Sequence, residues 1–102
     1  SNKEIVTMAS TDIIIHDKKD NVGVVVIDKI NPNQDCNCWI MENDSSAKIK
    51  SINEIPLGHK IAMIDFNEGD TIIKYGHDIG KVVKSIKKGE HVHVHNVKTK
   101  KW

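Results

Sequence analysis

Asp65-Phe66-Asn67-Glu68-Gly69-Asp70-Thr71-Ile72-Ile73-Lys74 aligns, at an offset of 20, with Ser85-Ile86-Lys87-Lys88-Gly89-Glu90-His91-Val92-His93-Val94. Each copy is an apolar anchor, a polar turn closed by glycine, and an alternating stretch, the pattern of a strand leaving a tight corner. Gly69 and Gly89 suit corners that demand a positive φ, which costs other residues more. The echo is too short for a solenoid and predicts two similar corners of one folded-over β structure.

The rest of the chain reads the same way. Ile and Val form short clusters broken by Gly, Asn and Asp, and aromatic residues make up only 4%, a strand-forming composition. Strands are predicted over 12–16, 22–28, 38–42, 47–52, 60–65, 71–75 and 91–96. Turn signals at Asp20-Asn21, Asn31-Pro32-Asn33, Glu42-Asn43-Asp44, Asn67-Glu68-Gly69 and Lys87-Lys88-Gly89 separate them. Gly58, Gly76 and Gly80 are read as further structural turns. Ile79, Val82, Val83 and Ile86 have helical offsets, so one or two helical turns compete there with a strand. The expectation is an all-β single domain over 1–102, with 31–44 an irregular loop-rich segment and Ser1-Asn2, lacking Met, a tag remnant.

Length and charge narrow the function. At 102 residues the chain fits one modest core. Fifteen basic residues against fourteen acidic ones leave a charge of +1, and every basic residue is a lysine. Without a net field or arginine forks, nucleic acid is a poor partner, and no apolar run reaches the roughly 20 residues that cross a bilayer. Cys36 and Cys38 lie one residue apart, which is no disulfide framework and suits a reducing cytoplasm. Two thiolates could serve a metal, but a closed zinc site needs about four ligands and no second pair is near.

The sharpest chemical feature is Glu90-His91-Val92-His93-Val94-His95-Asn96. In a strand His91, His93 and His95 share one face at about 6.6 Å per step, leaving Val92 and Val94 to the core. Imidazoles so placed can chelate a divalent metal, hold a carboxylate, or contact a partner. The competing reading is a polar edge strand on which histidine is merely tolerated. His16 and His59 are open between ligand and strand-end roles, and Lys74-Tyr75-Gly76 between carboxylate recognition and a solvated corner. No phosphate loop, nucleophile motif or obvious carboxylate pair appears, so the chain is under-equipped as a self-sufficient enzyme.

Several motifs in order carry a family resemblance: Ile15-His16 with Asp20-Asn21-Val22, then Ile55-Pro56-Leu57-Gly58-His59-Lys60-Ile61-Ala62, then Gly69, Ile73-Lys74-Tyr75-Gly76 and Ile79-Gly80, and finally Gly89 to Asn96. Together, over about residues 12–98, they resemble the N-terminal module of altronate dehydratases. The resemblance implies a SAF-type β-clip fold that completes the active site of a separate large altronate-dehydratase-type catalytic subunit. It implies a lyase removing water, or sulfite in the sulfolactate branch, from a sugar acid or hydroxy acid. The His-Val-His-x-His-Asn ending points to the altronate or sulfolactate branch rather than the galactarate one. The chemistry implied is proton removal α to a carboxylate, with the negative charge stabilised by fixed donors or a divalent metal, iron or manganese, shared with the large subunit. Site candidates are His16, Asp20, Asn21, His59, Lys60, Lys74, Tyr75, His91, His93, His95 and Asn96, with His91, His93 and His95 as metal ligands. Trp39 and Trp102 are docking candidates. A homo-oligomer, and a non-catalytic SAF module that binds a sugar acid or a partner, stay open as alternatives.

Overall fold

The β-branched clusters become strands in the computed structural model, which describes residues 10–99. Among the described residues there are eleven strands and no helix: β1 (Ile13–Ile15), β2 (Val22–Val25), β3 (Lys29–Ile30), β4 (Asp35–Ile40), β5 (Ser45–Lys50), β6 (Ile55–Pro56), β7 (Lys60–Ala62), β8 (Thr71–Lys74), β9 (His77–Val82), β10 (His91–Val92) and β11 (Val97–Thr99). They assemble as a six-stranded sheet in the order β10-β7-β2-β1-β4-β5, a three-stranded sheet β11-β9-β8 and a two-stranded ribbon β3-β6. Only the β1–β4 pair in these ladders is parallel.

Two apolar clusters hold the sheets together. The first gathers Ile13, Ile15, Val25, Ile30, Ile49, Ile55 and Ile61 with both cysteines. The second gathers Val22, Ala62, Phe66, Ile72, Val82, Ile86, Val92 and Val97. Strand β2 gives Val22 to one and Val25 to the other, and β7 divides Ile61 and Ala62 likewise. Their ladder, Val22↔Ala62 to Val24↔Lys60, is the seam between the cores. Each large side chain fully buried there contributes about 1.5–3 kcal/mol. Gly23 permits this packing, because a Cβ on it would lie 2.4 Å from Ile13 Cγ2.

The predicted pair of corners is present. In one, Asp70 N–H donates to the Asn67 carbonyl and Asn67 N–H to the Asp70 carboxylate; in the other, Glu90 N–H donates to Lys87 and Lys87 N–H to the Glu90 carboxylate. Gly69 and Gly89 close them at φ 91° and 92°. The anchors Phe66 and Ile86 meet in a bridge, exchanging backbone hydrogen bonds of 2.7 and 3.0 Å.

Four expectations change. Residues 31–44 are not irregular: β4 pairs with β5 along six residues, from Asp35↔Lys50 to Ile40↔Ser45, and inserts beside β1. The helical spacing at 79–86 resolves to strand, because β9 runs to Val82 between β8 and β11 and the chain then bends. Gly80 is therefore no turn; it lies inside β9, where a Cβ would come within 2.7 Å of the Lys98 carbonyl oxygen. The strand expected over 91–96 stops at Val92, so Val94 is 74% exposed rather than in the core. Ser1, Asn2 and Trp102 lie outside the described residues, and Trp39 is half-buried with its Nε1–H donating to Asp44 at 2.9 Å.

Candidate functional site

Two of the candidate histidines reach one another because β7 and β10 are neighbours. His59 sits just before β7, where its N–H donates to the Pro56 carbonyl and Gly58, at φ 83°, turns the chain into the strand. His91 opens β10 opposite Ile61. Nδ1 of His59 and Nε2 of His91 lie 2.8 Å apart, one donating to the other. His93, just past the end of β10, stacks on His59 with ring centroids 4.0 Å apart and planes 17° from parallel. One nitrogen from each of His59, His91 and His93 falls within 4.8 Å of the others, and all three are half-buried.

The chain bends at His93 because Asn96 folds back on it. The Asn96 side chain accepts from the His93 N–H at 2.9 Å and donates to the His91 carbonyl at 2.8 Å. Asn96 is 3% exposed, so it holds the histidine loop from within rather than facing solvent. His95 is exposed, with its ring centroid 5.1 Å from that of His91. The cluster thus joins His59 to His91 and His93, and His95 stands at its rim.

Burial and neighbouring imidazoles favour the neutral forms of His91 and His93. His91 is pushed down to about 4, first by burial and then by His95, His59 and His93. His93 is also lowered, by burial and then by His59, Lys60 and His95. Neutral imidazoles present free lone pairs, the state in which histidine binds metals. Two nitrogens each about 2.1 Å from one tetrahedral ion lie roughly 3.4 Å apart, so the 2.8 Å His59–His91 hydrogen bond would have to open slightly to admit one. By donor chemistry and spacing, the residues fit a divalent ion.

A second group lies at the far end of β8. Tyr75 and Gly76 form a two-residue hairpin turn between β8 and β9, both at positive φ, 54° and 72°, as a type I′ turn requires. Asp20 fastens it, accepting from the N–H groups of Tyr75 and Gly76 at 3.0 and 2.9 Å. Asn21 clips β8 to the main sheet through Ile73 N–H and the Thr71 carbonyl. Asp20 and Asn21 therefore build the scaffold. His16, past the end of β1, stacks on Tyr75 at 4.0 Å between centroids, and its Nε2 lies 3.0 Å from the Tyr75 hydroxyl. Lys74 Nζ sits 5.4 Å from the Tyr75 ring centre. His16 is lowered by burial and then by Lys74, with Asp20 opposing; Lys60 is lowered by burial and then by Lys74.

Cys36 and Cys38 are at most 2% exposed in the first core, on the inner face of β4, and both remain free thiols. Sequence reasoning overlooked Asn53, whose Oδ1 accepts the His91 N–H at 2.9 Å. An asparagine acting across 38 residues leaves no local signal.

The altronate/galactarate dehydratase SAF domain family matches residues 11–100 of this chain. The (2R)-sulfolactate sulfo-lyase subunit alpha of Chromohalobacter salexigens is 50% identical over 93 residues, spanning 91% of this chain and 99% of that protein. The protein of the same name from Paracoccus pantotrophus is 45% identical over 65 residues, or 64% of this chain and 97% of its own length. The altronate dehydratase of Bacillus subtilis is 51% identical over 47 residues, 46% of this chain but only 10% of that enzyme.

Proposed function

The chain belongs to the altronate/galactarate dehydratase SAF domain family, and from that membership we propose that it is the small subunit of a sulfo-lyase acting on a sulfonated hydroxy acid of the sulfolactate kind. The carrying observation is the match along 99% of a sulfolactate sulfo-lyase subunit alpha at 50% identity. The altronate dehydratases share only the stretch that amounts to 10% and 9% of their length. This favours the sulfolactate branch over the altronate branch that the sequence motifs first suggested. The subunit names further support a larger partner chain completing the site.

In this reading the face carrying His59, His91 and His93 turns toward the partner. Elimination of sulfite requires a base to take the proton from the carbon bearing the hydroxyl and carboxylate, while the C–S bond of the next carbon breaks. The electron pair of the C–H bond becomes the new C=C bond, and sulfite leaves with the C–S pair. A divalent ion held by the three histidines would supply electrostatic stabilisation of the developing enolate-like charge. The all-imidazole donor set suits iron better than manganese, which prefers oxygen ligands. Asn96 and Asn53 fix the two backbone positions from which His91 and His93 project. Stacking on His59 orients His93.

The test is reconstitution. The chain is co-expressed with the large dehydratase-type chain of its source, and sulfite release from sulfolactate is measured beside dehydration of altronate. Sulfite release that requires both chains is expected, as is its fall by about 100-fold or more in His93→Ala, roughly the loss of one positioned group of about 3 kcal/mol. Altronate turnover without sulfite release would overturn the substrate assignment. Unimpaired turnover by a folded His93→Ala complex would remove the histidine cluster from the site.

A further inference from the structure

Between the two sheets, next to the histidine cluster, lies a cavity of about 240 Å³. Ile72 of β8, Ile79 of β9, Val92 of β10 and Val97 of β11 form its apolar floor, drawn from the second core. Val94 also lines it and is 74% exposed, so the cavity opens to solvent on that side. Lys60, His93 and Thr99 complete the wall, and Lys60 is its one permanent charge. Strand alternation fixes the direction of that lysine. Lys60 lies two residues from Ala62 and directly opposite Val92, both members of the second core, so its side chain rises on the same face. Among the described residues no carboxylate forms an ion pair with it. A half-buried ammonium over an apolar floor, without a counter-ion, is a costly arrangement that an anion relieves.

We propose that this cavity binds a small aliphatic carboxylate, with its hydrocarbon body on the floor of Ile72, Ile79, Val92 and Val97 and its carboxylate on the Lys60 ammonium. Charge complementarity selects the anion. A neutral side chain from a partner would fill the floor but leave Lys60 unmatched. The floor selects against the sulfonated hydroxy acid of the proposed reaction, whose hydroxyl and second charge would be stripped of water against it. Size selects a short chain, because 240 Å³ falls below the roughly 300–1,000 Å³ of pockets that take drug-sized ligands. His93 lines the cavity and also stacks on His59, so an acid seated there lies against one member of the histidine cluster. The site does not depend on the sulfo-lyase reading and stands whether or not the chain takes part in sulfite release.

The full chain is titrated with isovalerate, with its neutral counterpart isovaleramide and with acetate, while NMR follows the methyl groups of Ile72, Ile79, Val92 and Val97. Saturable methyl shifts with isovalerate are expected, at a dissociation constant of about 1 mM, as about seven non-hydrogen atoms allow. Isovaleramide keeps the body and loses the charge, and acetate keeps the charge and loses most of the body. Each should bind about tenfold more weakly. Lys60→Met keeps an apolar stem in the wall, and it should bring isovalerate down to the level of isovaleramide while leaving isovaleramide unchanged. A retained backbone spectrum shows that this variant is folded. No saturable methyl shift at tens of millimolar overturns the site. Equal binding of isovalerate and isovaleramide marks an apolar slot open to any side chain and overturns the carboxylate assignment, as does a folded Lys60→Met variant that still prefers the acid. Acetate binding as tightly as isovalerate overturns the role of the apolar floor.

Discussion

At the scale of single residues, the shape of the histidine loop depends on a side chain turned inward. Asn96 uses both ends of its amide on the loop that presents the histidines, and it is 3% exposed. Truncation to alanine leaves the His93 N–H and the His91 carbonyl without these partners, at about 1–3 kcal/mol for a group stranded away from water. Asn96→Ala should therefore lower stability by about 2 kcal/mol in urea unfolding. It should also broaden the His91 and His93 imidazole resonances while those of His16 stay sharp. A stability loss without any change at the histidines would make Asn96 a fold residue only. The sequence marks Asn96 as part of a motif and as a site candidate at the end of a strand over 91–96. Its true role depends on the chain bending at His93, which strict alternation of His and Val conceals.

At the scale of elements, alternation and turn chemistry made seven strands legible, and the four that were missed each have a reason. Strands β3 and β6 are two residues long and exist only by pairing with each other, as Lys29↔Pro56 and Ile30↔Ile55. Strand β9 imitates a helix in its apolar spacing, and the Tyr75-Gly76 turn that starts its hairpin carries tyrosine where asparagine would have announced it. Strand β11 follows a histidine loop that looked like strand already. The family resemblance placed His59, His91 and His93 among the candidates of one site, but the direct contact of His59 with His91 follows from the β7–β10 pairing across 32 residues and leaves no local signal. The two glycine corners, equal in sequence, differ in surroundings. A Cβ on Gly69 would meet nothing within 4 Å, whereas one on Gly89 would lie 2.3 Å from the Lys50 carbonyl oxygen. Both pay for positive φ, so Gly69→Ala should cost about 1 kcal/mol. Gly89→Ala adds a backbone clash and should cost about 3 kcal/mol or more. Equal losses in parallel denaturant titrations would mean that the second corner yields freely.

At the scale of the whole molecule, two cores share one seam, so an insult to either should be felt by the global unfolding transition. The buried thiols provide a way to ask. Cys36 is raised from 9.0 to about 11, by burial first and then by Asp12 and Asp35. Cys38 is raised to about 12, by burial and then by Cys36 and Asp12, with Lys88 opposing. As pH rises, the unfolded chain gives up these protons first, so the unfolded state gains ground on the folded one. The thiols' contribution is therefore intact below pH 9 and is lost as pH climbs from there toward 11 and 12. Each thiol contributes roughly 1 kcal/mol of lost stability per pH unit inside that window. Lys60, whose pKa is lowered by burial and Lys74, works in the opposite sense, because its neutral form is the better tolerated one in the fold. The comparison that isolates the thiols is thus wild type against the Cys36→Ala/Cys38→Ala double variant, which keeps every lysine. The double variant should be less stable at pH 7, having lost two packed sulfurs, yet decline less steeply above pH 9. If calorimetry shows parallel declines, the thiols ionise in the folded state as readily as in the unfolded one, and the first core is far more open to water than its packing indicates.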